Sequence, residues 1–183
     1  AYCVLKYATN GTTIENSDVE IRNSEISISS QNGITVLNSK VKVQDSEIHD
    51  NLKSGIYLTG NNQATIQSNT IKANANGVLL SGNSTLGVSI TQNTVQSNTQ
   101  SGIKLDVNNY NNIAILYNVL SANNKGFHVS TQANTQITNN SISYNNIGIF
   151  YEKASHAAHW NDIYGNQLGM DVSATADVTV DAE

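Results

Sequence analysis

The sequence predicts an all-β fold, a right-handed parallel β-helix of about eight coils with three short parallel sheets. Three observations predict it: a glycine-marked repeat of 21–25 residues, apolar residues that alternate with period two, and asparagines in register from repeat to repeat. The 183 residues also include 18 Ile, 14 Val and 16 Thr, which favour strands. Repetition at this period without helical spacing is typical of a solenoid.

The repeat is clearest in a column of glycines, each followed by an apolar residue. The members are Gly33, Gly55, Gly77, Gly102, Gly126, Gly148 and Gly169, at intervals of 22, 22, 25, 24, 22 and 21 residues. Each glycine begins a G-I-x-L-like segment whose apolar residues alternate, as in a strand with one buried face. A further pair of apolar positions, such as Ile66 and Ile71, precedes each glycine, so every repeat should add one strand to each of three sheets.

The chain has 28 asparagines, and many of them occupy two fixed positions of the repeat. The first column contains Ser24, Ser46, Asn69, Asn93, Asn118, Asn140 and Asn161, and the second contains Asn51, Asn74, Asn98, Asn123, Asn145 and Asn166. Asparagine tolerates the left-handed conformation that a sharp turn requires. Amides stacked at the ~4.8 Å spacing of adjacent strands can also bond to one another. We therefore expect asparagine ladders at the turns.

We expect residues 1–183 to form a single β-helix domain without an internal boundary. Val4 fits a core column, and Val178 and Val180 begin another coil, so the pattern is interrupted at both ends. Natural β-helix ends are capped because they expose apolar core and unpaired strand edges. The sequence therefore predicts a fragment of a longer protein with flanking domains or coils. The single cysteine, Cys3, is expected to be a small buried residue.

Composition and motifs argue against several kinds of partner. A net charge of −5 with one arginine, Arg22, argues against nucleic acid, which requires clustered cations. No apolar run approaches the ~20 residues of a transmembrane helix. His156 and His159 form an H-x-x-H pair, but it lies in a predicted loop and lacks a third ligand, so no metal or other cofactor is predicted.

Two repeats carry a resemblance to a known group. The segments 66–78 (IQSNTIKANANGV) and 137–149 (ITNNSISYNNIGI) resemble the parallel β-helix repeats of the pectin-lyase-like superfamily. The segment 161–166 (NDIYGN) is similar to a phrase common in its secreted, surface-bound and periplasmic members. The resemblance implies a secreted, cell-surface or periplasmic protein whose partner is a polysaccharide. Members are lyases, polygalacturonases, mannuronan epimerases or non-catalytic carbohydrate-binding rods, and fold alone does not distinguish them.

The resemblance places a site on the outward face of one sheet, beside variable loops. The loop after G-I-x-L changes length between repeats, so that sheet is the expected one. Alternation turns two columns of residues outward from it. The candidate carbohydrate-binding residues in these columns are Tyr57, Lys104, Asp106, His128, Phe150 and Glu152.

The same columns leave open three kinds of function. Proton abstraction beside a uronate carboxylate needs a base and a cation, for which Lys104 and His128 are candidates. A hydrolase would use two carboxylates, here Asp106 and Glu152. The superfamily's catalytic arginines and Asp-Pro-His phrase are missing, since Arg22 lies off this face and the chain has no proline. The predicted function is therefore a non-catalytic carbohydrate-binding or adhesive module, with a polysaccharide lyase, epimerase or hydrolase and a purely structural spacer as alternatives.

Overall fold

The computed structural model describes residues 2–84, 86–110, 112–130, 135–152, 155–173 and 177–180, without side chains for 83–84, 108–110, 155–157 and 177–180. These residues form 24 strands and no helix. Nothing in this part of the chain is therefore a helix that could cross a membrane.

The strands form three parallel sheets of eight strands each. Sheet A contains β1 (Cys3–Lys6), β4 (Ser24–Ser27), β7 (Glu47–His49), β10 (Thr70–Lys72), β13 (Thr94–Gln96), β16 (Val119–Ser121), β19 (Ser141–Ser143) and β22 (Asp162–Tyr164). Sheet B contains β2 (Thr12–Glu15), β5 (Ile34–Leu37), β8 (Ser54–Thr59), β11 (Asn76–Ser84), β14 (Ser101–Tyr110), β17 (Lys125–Val129), β20 (Ile147–Tyr151) and β23 (Leu168–Val172). Sheet C contains β3 (Asp18–Arg22), β6 (Lys40–Gln44), β9 (Gln63–Gln67), β12 (Val88–Thr91), β15 (Ile113–Leu116), β18 (Thr135–Thr138), β21 (Ser155–His159) and β24 (Asp177–Val180).

Equivalent positions of successive repeats pair side by side in each sheet. Ile26 pairs with Ile48 in sheet A, and Ile34 pairs with Ile56 in sheet B. Every third strand therefore returns to the same sheet one coil further on, and such parallel connections are right-handed. The inward residues form one continuous core, in which Phe127 and Tyr151 are the largest fully buried side chains. The predicted right-handed parallel β-helix is confirmed.

The turn from sheet C to sheet A contains the first predicted ladder. Asn93 shows the pattern: its Nδ2 donates to Oδ1 of Asn118 at 3.0 Å, and its Oδ1 accepts from Nδ2 of Asn69 at 3.0 Å. The backbone N–H of Asn93 also donates to Asn118 Oδ1 at 3.0 Å. Ser24 and Ser46 continue the column with hydroxyls, since Ser24 N donates to Ser46 Oγ at 3.1 Å.

The second ladder lies at the turn from sheet A to sheet B and follows the same rule, with Asn98 Nδ2 donating to Asn123 Oδ1 at 2.9 Å. Both ladders are confirmed, but one detail differs from expectation. The left-handed residue is the one before the ladder asparagine, such as Gln92 (φ +58°) before Asn93 or Ser97 (φ +55°) before Asn98. The asparagine side chain therefore serves the hydrogen bonds between coils, and its neighbour makes the turn.

The glycine column lies where the coils approach most closely. A Cβ added to Gly126 would lie 2.6 Å from the carbonyl oxygen of Gly148 and 2.7 Å from Cγ2 of Ile142. Any side chain here would push the next coil away.

The connection from sheet B to sheet C varies in length, as predicted. It spans two residues between β2 and β3, and the neighbouring strands β11 and β14 extend to 9 and 10 residues before turning. The turn from sheet C to sheet A stays at one or two residues throughout. Sheet B is thus bordered by the variable edge.

Two expectations for the first coil are wrong. Cys3 is exposed although it pairs with the ladder residue Ser24, because β1 is the edge strand of sheet A. Val4 pairs with the outward Glu25 and is 48% exposed, whereas Leu5 pairs with Ile26 and packs against the core. The core column is therefore shifted by one residue from the predicted one.

Candidate functional site

The outward face of sheet B has the predicted register. Tyr57 pairs with Leu79, Leu79 with Lys104, Lys104 with His128, and His128 with Phe150. One column therefore runs across five neighbouring strands. Asp106 lies two residues beyond Lys104 on β14, and Glu152 follows the end of β20.

His128 is at the centre of this face and is buried although it points away from the core. Its Nε2 lies 3.0 Å from Oε2 of Glu152, and its ring lies 5.0 Å from the ring of Phe150. The side chains of the following coil therefore cover the imidazole, which is 9% exposed. The structure brings His128, Phe150 and Glu152 into one cluster, with Lys104 on the neighbouring strand.

A lysine that sequence reasoning missed completes the cluster. Lys125 Nζ lies 4.5 Å from the centre of the Phe150 ring, in a cation–π contact. Its equivalents in the preceding coils are Ser54, Asn76 and Ser101, all buried. The sequence signal that could have identified Lys125 is a lysine at a repeat position where the preceding coils have small polar residues.

Two predicted residues lie apart from the cluster. Asp106 is exposed, and its Oδ1 accepts a hydrogen bond from Ser130 Oγ at 3.3 Å. Tyr57 is half-buried two strands from Lys104, with Leu79 between them. Both share the face, but neither contacts His128.

Burial lowers the pKa of His128 below its ordinary value. The hydrogen bond that His128 donates to Glu152 opposes this shift, and the positive charges of Lys125 and Lys104 add to it. The imidazole is therefore neutral at neutral pH. Its Nε2–H then donates to the Glu152 carboxylate, which leaves Nδ1 as an acceptor.

The two lysines of this face are electrostatically available. Lys6, Lys40, Lys42, Lys72 and Arg22 each form an ion pair with a carboxylate. Among the described residues, Lys53, Lys104 and Lys125 have no carboxylate oxygen within 4.0 Å of Nζ, and of these Lys104 and Lys125 lie on the sheet B face. The sheet B face therefore presents two unneutralised cations on a protein of net charge −5.

Comparison with known families identifies the chain over almost its whole length. Residues 2–182 match the sequence profile of the family described as periplasmic copper-binding protein (NosD). The chain belongs to the NosD family. A search of curated proteins gave no match.

A solved structure has the same fold as this NosD-family chain. It is the crystal structure of a double mutant of the periplasmic alginate epimerase AlgG, with a TM-score of 0.78 and 17% sequence identity. The match covers 98% of the present chain and 49% of the epimerase chain, so the present chain spans about half the length of that protein. At this identity the likeness establishes the fold alone.

The family description names copper, but the described side chains do not fit a copper centre. Copper sites gather imidazole, thiolate and thioether ligands, and here His49 lies on sheet A, His128 on sheet B and His159 on sheet C. Cys3 stands on β1, and Met170 packs against the core. No group of three or more His, Cys, Asp or Glu side chains in the described part is arranged to hold a metal ion.

The H-x-x-H pair belongs to a strand and not to the predicted loop. His156 and His159 both stand in β21, and the ring of His159 lies 6.2 Å from the ring of Trp160. The side chain of His156 lies outside the described residues.

Proposed function

We propose that this chain is a non-catalytic carbohydrate-binding module of the periplasm or cell surface, and that its sheet B face binds an acidic polysaccharide. The observation that carries the proposal is the pair Lys104 and Lys125, which have no ion-pair partner in the described part of the chain. Lys125 contacts the aromatic ring of Phe150, and Lys104 lies two strands from that ring in the same outward column. A uronate chain offers a carboxylate to each lysine and C–H faces to the ring. The family description and the epimerase neighbour support the location and the class of ligand.

The spacing along the face favours an extended ligand over a single sugar. Tyr57 and Phe150 stand four strands apart in the same column, which is about 19 Å at the strand spacing of a sheet. Only a chain of several sugars can contact both rings. A shallow open face of this kind should bind weakly, with a Kd on the order of 0.1–1 mM.

The test is titration of a defined oligouronate, a hexasaccharide of mannuronate, followed by backbone amide NMR. Shifts should concentrate on β14, β17 and β20. Lys104→Gln and Lys125→Gln should each weaken binding about five- to tenfold, since each removes one charge-assisted contact. Lys40→Gln is the matched control, because Lys40 stands on sheet C and is paired with Asp18. Shifts confined to sheet C, or equal losses in all three variants, would contradict the site.

A second function has one observation in its favour. Neutral His128, with Nδ1 as acceptor, stands beside Lys104, which gives a base and a cation on neighbouring strands. That pair is the minimum for proton abstraction next to a carboxylate, the chemistry of a lyase or an epimerase. Incubation with polymannuronate, followed by proton NMR for unsaturated or epimerised residues, distinguishes the two functions. Product that disappears in His128→Gln would make the chain an enzyme, whereas binding without product supports the module. Absence of both binding and product would favour the spacer.

A further inference from the structure

The outward face of sheet A changes character along the rod. Its first coils carry ion pairs, such as Lys6 with Glu25 and Lys72 with Glu47, each at 2.6 Å. Its last three strands, β16, β19 and β22, and the turns that border them carry large exposed apolar side chains. The first coil also has exposed Tyr2, Val4 and Tyr7, but there they lie beside ion pairs. The exposed side chains at the last three strands are Tyr117 (60% exposed), Val119 (42%), Tyr144 (68%), Trp160 (67%) and Tyr164 (45%). We call these five residues the aromatic end of sheet A.

The rings line both sides of the sheet, and the floor between them mixes polar side chains with Val119 and Tyr164. Tyr117 and Trp160 occupy the same corner between sheets C and A, two coils apart, or about 10 Å. Tyr144 stands at the opposite corner, with its ring 5.8 Å from that of Tyr164 at 80°. The floor consists of the outward positions of the three strands, including Ser141.

The backbone at these corners is an unusual place for an aromatic residue. Tyr117, Tyr144 and Trp160 have φ of +59°, +56° and +52°. Bulky residues rarely adopt this left-handed conformation, which the turns require at these corners and which Tyr7 and Ile28 also adopt. Other coils place Asn23 and Asn139 at the corner of Tyr117. Because the rings are exposed, they bury little apolar area in the fold that could offset the strain.

The ladders hold these corners rigid. The asparagines after Tyr117, Tyr144 and Trp160 are Asn118, Asn145 and Asn161, and all three take part in ladder bonds. A Cβ added to Gly165 would lie 2.9 Å from Cε1 of Tyr144, so the next coil also supports that ring. Rings fixed before binding lose little entropy when a ligand stacks on them.

Charge distinguishes this surface from the sheet B face. Within 117–122, 139–144 and 160–165, Asp162 is the one charged residue. The surface therefore offers an acidic ligand no cation, whereas apolar rings beside hydroxyls complement an uncharged sugar chain. We propose that the aromatic end of sheet A is a second glycan site, which binds a neutral polysaccharide strand by stacking sugar rings on Tyr117, Trp160 and Tyr144.

The chain contains its own probe for this site. Trp160 is its one tryptophan, so selectively excited tryptophan emission reports the aromatic end of sheet A and not the sheet B face. Titration of the whole chain with hexasaccharides of β-1,4-linked glucose, mannose or N-acetylglucosamine should give a saturable emission change with at least one of them. Hexamannuronate should give none. Lys104→Gln should leave the change intact, so the failure of either site can be seen separately.

The variants can be chosen to keep the backbone unstrained. Tyr117→Asn places at this corner the residue that Asn139 already supplies one coil later, so folding should be maintained or improved. We expect it to weaken neutral-glycan binding about five- to tenfold. Tyr7→Asn is the matched control, since Tyr7 is also left-handed (φ +60°) and 78% exposed but lies on the first coil. Unchanged affinity in Tyr117→Asn would overturn the proposal. The proposal would also be overturned if no neutral hexasaccharide changed the emission at about 10 mM, a concentration well above the weak Kd expected of an open face. An emission shift that occurs without glycan and accompanies dimer formation in sedimentation would overturn it as well.

Discussion

Replacing Asn93 with leucine removes five hydrogen bonds from the interior of the first ladder. Asn93 Oδ1 accepts from the backbone N–H and from Nδ2 of Asn69, at 2.9 and 3.0 Å. Its Nδ2 donates to the carbonyls of Ile66 and Thr91 and to Oδ1 of Asn118, at 2.9, 3.0 and 3.0 Å. The residue is 1% exposed, so water does not replace these partners.

The cost follows from what remains after the substitution. Thr91 still accepts from Ser68 N, and Asn118 Oδ1 still accepts from Asn93 N, so neither oxygen is stranded. The buried N–H of Asn69 loses its acceptor, at about 1–3 kcal/mol, and two further bonds are lost at about 0.5–1.5 kcal/mol each. We expect Asn93→Leu to lower the free energy of unfolding by about 2–6 kcal/mol.

Urea unfolding at equilibrium, with the m-value compared between variants, measures this loss. Asn93→Ser should cost less, because Ser46 shows that a ladder serine can accept from the preceding coil and donate to its own turn. Asn124→Leu makes the same chemical change at an exposed position and should stay within about 0.5 kcal/mol of the parent. An Asn93→Leu protein as stable as the parent, or a serine variant as damaged as the leucine one, would refute the ladder's energetic role.

Three other predictions test the core and the site. Gly126→Ala should destabilise by about 1–3 kcal/mol, because its Cβ meets a neighbouring backbone carbonyl, whereas Gly87→Ala, with its nearest neighbour 3.7 Å away, should be neutral in the same urea titration. Tyr151→Phe should not lower the melting temperature, because the buried hydroxyl has no hydrogen-bond partner among the described residues and burial raises its pKa to about 12. His128 has a lowered pKa when folded, so the unfolded chain binds the extra proton and stability should fall as pH drops below about 6.5. His128→Gln should flatten that part of the stability–pH curve, and an unchanged slope would show that another group causes it.

The fold could be predicted because every coil repeats the same pattern of apolar, asparagine and glycine positions. A residue's place in the repeat fixes its strand, and alternation fixes its direction, so Lys104, His128 and Phe150 could be aligned from their sequence positions alone. Direction does not fix burial. His128 points outward yet is covered by Phe150 and Glu152 of the next coil, which depends on rotamers that the sequence pattern does not encode.

Turn residues were the weakest part of the prediction, because they have no period-two alternation. Lys125 lies directly before the repeat glycine, where the pairing register skips a residue, so its reach to Phe150 was not evident. The aromatic corners Tyr117 and Trp160 were missed for the same reason. Both residues stand directly before a ladder asparagine, which is the position of the left-handed turn residue. This position in the repeat was a usable signal for an exposed corner.

The two ladders also give the rod a direction along its axis. Each amide turns its N–H side toward the following coil and its oxygen toward the preceding one, from Asn69 to Asn93 to Asn118, and likewise from Asn74 to Asn98 to Asn123. The dipoles of both columns are therefore aligned, and each polarises the next. A further coil can join the stack in one orientation only, since a reversed one would set donor against donor.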